Sequence, residues 1–164
     1  MGFFDEFKAK LVSCLQASAA LCGVAVLEEY PALERESLLK QPCLCVGLYE
    51  IVSEAGGSQY LGTQSGGEDV FGKGVTVTVS FKVYTPLKQG GSACHRVFSA
   101  LAQCLLLGQN AIRVQSIRCK EVSCDRALGA FTLTAYAQIK ATVVSADDTQ
   151  TAIEEIEVKR RENG

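Results

Sequence analysis

Among the residue types that do covalent chemistry, cysteine is the one that needs explaining in this sequence. Eight cysteines stand at positions 14, 22, 43, 45, 94, 104, 119 and 124, beside a single histidine, His95. Cys94 and His95 are adjacent at the start of a helical pattern, and a helix N-terminus lowers the pKa of a nearby thiol. Cys94 is therefore the expected reactive thiol, and Cys94 with His95 the candidate pair for a small thiol-dependent enzyme or ligand-binding domain. Adjacent residues on a helix point about 100° apart, however, so the two do not face each other. Zinc needs four ligands at short spacings, and the close pairs here are only Cys43-x-Cys45 and Cys119-x4-Cys124. Most of the thiols are expected to be buried and reduced, each acting as a small hydrophobe. The paired carboxylates Glu68 and Asp69 have no histidine or ligand cluster beside them. Arg113, Arg118, Lys120 and Arg126 bring positive charge to one hairpin without the interleaved aromatics of single-strand nucleic-acid binding, and read as a solvated sheet edge or subunit contact. The expectation is no catalytic residue, no cofactor, no metal site and no enzyme.

Composition narrows the remaining classes. The 164 residues are 48% hydrophobic and 21% charged, enough for one domain with a real core and too apolar for wholesale disorder. A net charge of −2 argues against a dedicated nucleic-acid binder, which carries a basic excess. No apolar run approaches the roughly 20 residues of a membrane span. The start, Met1-Gly2-Phe3-Phe4-Asp5-Glu6, has no basic region and no cleavage site, and Glu6 stands where myristoylation wants Ser or Thr. A cytoplasmically made, soluble chain is expected.

The elements that must position these residues follow from periodicity. Phe3, Phe7, Leu11, Leu15 and Cys22, with Phe4 and Cys14 beside them, predict an amphipathic helix over residues 3–22, stopped by Gly23. Val24–Leu27 reads as a short strand and Glu28–Gln41 as an irregular or partly helical connection. After Pro42 comes a strand, residues 43–52, with Leu44, Val46 and Leu48 on one face. Seven glycines between Ala55 and Gly74 predict a long exposed hairpin loop or partner-contacting flap; it lacks the Gly-Lys-Ser/Thr pattern of a phosphate loop. Val75, Val77, Val79, Phe81 and Val83 alternate strictly with polar residues, a half-buried strand. Ser92 is the expected cap of a second helix, Ala93–Leu107, closed by Gly108. A strand over residues 112–123 leads through a turn at 125–129 to the last strand, 131–143, whose odd positions are apolar and whose even positions (Thr132, Thr134, Tyr136, Gln138, Lys140, Thr142) are polar. Residues 147–164 change character. They hold six acidic and three basic residues, with Ile153, Ile156 and Val158 as the large apolar anchors. The expected fold is α+β: an antiparallel or mixed β-sheet packed by two α-helices (residues 1–146), with a long glycine-rich hairpin loop and a charged C-terminal arm (147–164).

This order of helix, strands, glycine-rich loop, long strand, helix, hairpin and charged tail resembles the tail terminator, or tail completion, proteins of tailed phages and phage-derived contractile particles. The resemblance is carried by the helix Phe3–Cys22, the segment Gln41-Pro-Cys-Leu-Cys-Val-Gly-Leu48, the strand Val75–Val83, the helix Ala93–Leu107 and the strand pair Ile112–Val143. It implies a structural subunit that forms a ring, commonly a hexamer, on the end of a tail tube or sheath. There it would stop polymerisation and join the tail to neck or head-tail connector proteins. It also implies assembly in a bacterial cytoplasm and a final place in the virion tail. No membrane and no sequence-specific nucleic acid enters that picture. A tail-tube or neck subunit is the alternative within the class. The expected subunit-contact residues are Glu68, Asp69, Phe71 and Lys73 in the glycine segment, Arg113 and Arg118 on the hairpin, and Ile153, Ile156 and Val158 in the arm.

Overall fold

The computed structural model describes residues 2–28, 40–108 and 112–145. The arm 147–164, with Ile153, Ile156 and Val158, lies outside the described residues, as does most of the Glu28–Gln41 connection. Two helices, α1 (Phe3–Gln16) and α2 (Ser92–Leu107), pack on one face of a seven-stranded mixed sheet. Its strands are β1 (Ala25–Glu28), β2 (Cys43–Ser53), β3 (Gln59–Thr63), β4 (Asp69–Pro86), β5 (Arg113–Cys119), β6 (Ser123–Asp125) and β7 (Ala130–Val144). The order β1-β2-β4-β7-β5 has β1 parallel to β2 and every other pair antiparallel, with β3 added to β4 and β6 to β7. This is the α+β sheet-and-two-helix fold that the alternation predicts.

The sheet is built around β4 and β7, because strict alternation sends one full set of side chains to the helices. Across that ladder large residues meet small ones: Phe81 pairs with Ala135, Val79 with Ala137 and Val75 with Ala141. The alanine row of β7 leaves room for α2 to sit close, where Val97, Leu101 and Leu105 are buried. α1 covers the β1–β2 side with Leu11, Val12 and Leu15. Lys8 reaches Glu28 at 3.8 Å and the Gln16 amide donates to the Val26 carbonyl at 3.1 Å, so α1 runs antiparallel to β1.

Several boundaries differ from expectation, each for a local reason. α1 ends at Gln16, six residues before Cys22. Ser18 turns extended, a 3-10 turn (Ala19–Leu21) follows, and Leu21 is inserted into the core while Cys22 is left exposed. Ser92 is the first helical residue of α2, not its cap; Gly91 holds the cap position and no side chain bonds to the freed amides. The strand expected over 112–123 is broken into β5 and β6.

The largest correction concerns residues 55–74. They are not one long loop: residues 55–58 and 64–68 connect strands, while β3 pairs with the first residues of β4, which begins six residues earlier than its valines suggest. A short turn at 64–68, closed by Gln64 N–H to the Glu68 carbonyl at 2.8 Å, joins the strands. Gly72 and Gly74 serve the ladder because neighbouring side chains lie across them. A β-carbon on Gly72 would collide with the Leu61 Cδ1 and lie 2.9 Å from Thr142 Cγ2; one on Gly74 would lie 2.5 Å from Glu54 Cδ. Leu61 thereby completes a small satellite core with Val70 and Val144.

Candidate interaction surfaces

The Cys94/His95 pair does not assemble. Cys94 is fully buried and its thiol lies 3.1 Å from Thr85 Oγ1, while His95 is exposed. Burial pushes the Cys94 thiol up, against the lowering effect of the Thr85 hydrogen bond, so it is the opposite of an activated nucleophile. His95 instead lines a shallow, open groove with Ala20, Ser92, Arg96, Ser99 and Gln103. Cys43, Cys45, Cys94 and Cys104 are buried, Cys14 is half-buried, and Cys22, Cys119 and Cys124 are exposed; all eight are free. Burial is thus true of half the thiols rather than most. Among the described residues no group of three or more His, Cys, Asp or Glu converges as a metal site.

Two surfaces stand out instead. The first is the end of the sheet where β2 and β7 finish and β4 begins. Among the described residues eight large hydrophobic residues are exposed, and four of them, Ile51, Val52, Tyr60 and Phe71, belong to the strands at that end, while Leu106 and Leu107 close α2. The register places Ile51 and Val52 opposite Val77 and Thr76, and Tyr60 opposite Phe71. Tyr60 and Phe71 form an edge-to-face pair with ring centroids 5.7 Å apart. Asp69 accepts hydrogen bonds from Thr63 Oγ1 at 3.0 Å and Tyr60 OH at 3.4 Å, which stiffens the hairpin tip, and Lys73 donates to the Gly56 carbonyl. Glu68 lies exposed in the turn. The expected contact residues Glu68, Asp69, Phe71 and Lys73 are therefore brought together on one hairpin. The hairpin exposes Tyr60 and Phe71 as one contiguous ring pair rather than as scattered residues.

The second surface is the polar face of the sheet. Tyr136 on β7 packs edge-to-face on Tyr49, centroids 4.9 Å apart; Tyr49 follows Cys45 and Gly47 on this face by alternation, and the bulge after Leu48 puts Glu50 there too. The Arg118 guanidinium and Lys120 ammonium lie 5.3 and 5.5 Å from the Tyr136 ring centroid, within cation–π range. Lys82 is exposed two residues along the same face, opposite Thr134. Two of the four hairpin cations, Arg118 and Lys120, thus share an aromatic partner that the sequence did not reveal. Arg113 stands farther along β5, opposite Lys140, and Lys140 is 3.6 Å from Glu54. Tyr136 was on the polar side of the predicted alternation, but its meeting with Arg118, Lys120 and Tyr49 depends on strand order. Beside this patch, Cys45 is pushed up to about 11 by burial and by Cys43, with Lys82 opposing.

Among the described residues no helix is long and apolar enough to cross a membrane. Comparison with protein families and with curated proteins gives no match for this chain.

Proposed function

We propose that this chain is a structural assembly subunit, a ring-forming terminator of a phage-like tail tube or sheath. In that reading copies of the chain close a ring, a hexamer by resemblance, that stops polymerisation and presents a surface to neck or head-tail connector proteins. It assembles in a bacterial cytoplasm and ends in the tail of the particle. The observation that supports it is the end of the sheet where Ile51, Val52, Tyr60 and Phe71 stand exposed on and beside a hairpin held by its own hydrogen bonds. A repeated subunit needs such a surface to meet its neighbour. The buried, unactivated Cys94 takes away the main support for a thiol-dependent enzyme.

The test is the mass and shape of the purified protein by light scattering and negative-stain imaging, with tube or sheath ends added. Closed rings, alone or on those ends, are expected. The double variant Tyr60→Asp/Phe71→Asp should lose the ring and keep a cooperative thermal transition. Long cylinders would make this a tube subunit, and a monomer indifferent to every tail component would sink the assembly reading.

A further inference from the structure

The polar face of the sheet carries an arrangement that subunit contact at the apolar end does not use. Around the Tyr49–Tyr136 pair stand three cations, Lys82, Arg118 and Lys120, in two adjacent rows of the ladder. One row runs Cys45, Lys82, Thr134 and Lys120, the next Gly47, Ser80, Tyr136 and Arg118, and neither contains a carboxylate; the row beyond, Glu50, Thr78, Gln138 and Ser116, carries one, which leaves the cations in excess. Tyr49 is 62% exposed, so the aromatic pair offers apolar area between the charges. In a chain of net charge −2, such a local excess of positive charge is a matched receptor for an acidic, partly apolar strand.

The sequence contains one. Residues 153–158 read Ile-Glu-Glu-Ile-Glu-Val, three carboxylates interleaved with three aliphatic residues, and Asp147 and Asp148 precede them. We propose that this segment of one copy docks on the Tyr49/Tyr136 patch of a second copy. Its carboxylates would meet Lys82, Arg118 and Lys120, and its isoleucines the tyrosine rings.

Strand direction and strand pairing select a neighbour over the segment's own copy. Ser145 is held to β4 by its N–H to the Phe71 carbonyl at 2.9 Å and by Phe71 N–H to its Oγ at 3.1 Å. The strand direction there is off the end of the sheet, away from Tyr136, which stands nine residues back at about 3.4 Å each, roughly 30 Å away. Ile153 in full extension spans about 26–29 Å from Ser145, short of that ring, whereas Ile156 and Val158 span about 36–40 and 43–47 Å. Both edges of β7 are already paired, by β4 and by β5, so the segment has no open edge of its own strand to fold back on and is placed on a neighbour. The inference rests on the ring-forming reading and deepens it by naming a contact.

Two full-length charge-reversal variants test it: Arg118→Glu/Lys120→Glu on the patch and Glu155→Lys/Glu157→Lys on the segment. Measured by light scattering against concentration, each variant alone should need about tenfold or more protein to assemble than the wild type. Mixing the two should restore assembly, because each then supplies the partner the other lacks. A wild-type ring whose variants also ring unchanged overturns this docking and leaves the ring reading standing. Variants that fail alone and fail when mixed overturn it too, and a quadruple variant that assembles in that case assigns the contact to a single chain. A wild-type chain that stays monomeric overturns the ring reading and this inference together.

Discussion

The two faces of the β4–β7 ladder are built from alternate residues of the same strands, yet they obey different physics. On the helix side, Phe81, Val77, Val79, Val83, Leu133 and Ile139 are buried to 1% or less, in contact with α1 and α2. On the other side Tyr136 lies half-buried between two cations and against Tyr49, and Gln138 and Lys140 are exposed. Phe81 and Tyr136 are near neighbours in the register, through Ala135 and Ser80. The first owes its place to water exclusion, the second to pairwise electrostatics and ring contact. The difference teaches that this sheet keeps stability on one face and leaves the other for recognition.

Truncation is the hardest way to break that comparison. Phe81→Ala should destabilise the fold by about 3–5 kcal/mol, since a fully buried ring is lost and the strand cannot close the void. Chemical denaturation measures it, and a loss under about 1 kcal/mol would mean that the helix-covered face is not the stabilising one.

A smaller effect comes from pH. In the unfolded chain the Cys45 thiol ionises near its ordinary 9.0, whereas in the fold burial holds it neutral to about 11. The folded state then binds the extra proton between those values, so this contribution is full below pH 9 and is lost as pH rises from about 9 to about 11. At about 1.4 kcal/mol per unit the loss is of the order of 2–3 kcal/mol. Cys43 and Cys94, also raised by burial, shift in the same direction. Urea unfolding at pH 8 and pH 10.5, compared with Cys45→Ala, checks it; equal pH slopes for the two proteins contradict the assignment.

Gly72→Ala should cost about 1–2 kcal/mol, because Leu61 must swing aside and uncover Val70 and Val144. The change should be confined to the hairpin, read as faster amide exchange there with the central strands unaffected. The smallest change is expected from Tyr136→Ala, about 0.5–1.5 kcal/mol, the worth of an aromatic pair with its cations. If it rivals Phe81→Ala, the two faces are not divided as described.

Much of the helix-covered face was legible in the sequence. The alternation from Val75 to Val83 and from Phe131 to Val143 marked which side chains turn inward, and the spacing of Leu11, Leu15, Val97, Leu101 and Leu105 marked the helices that cover them. Local patterns fared worse where glycine was dense. Seven glycines between residues 55 and 74 read as a loop, because sequence does not show that Leu61 and Glu54 lie over Gly72 and Gly74. Cys94 misled for a similar reason: its place near a helix start is a local fact, while its burial against β4 and Thr85 is a tertiary one.

The candidate surfaces divide in the same way. Glu68, Asp69, Phe71 and Lys73 are close in sequence, so their gathering on one hairpin could be foreseen from spacing. Tyr49, Lys82, Arg118 and Tyr136 come from four strands. What the sequence by itself determined is periodicity, hence which residues face inward and which outward, since side-chain direction alternates with the backbone. Strand order, the Leu48/Glu50 bulge and the end at which α2 finishes were decided only by the tertiary structure. Those features depend on pairings between residues 16 to 87 positions apart, such as Lys120 with Tyr136 and Tyr49 with Tyr136. Such pairings are set by the free energy of the whole packed sheet, which no local window of sequence contains.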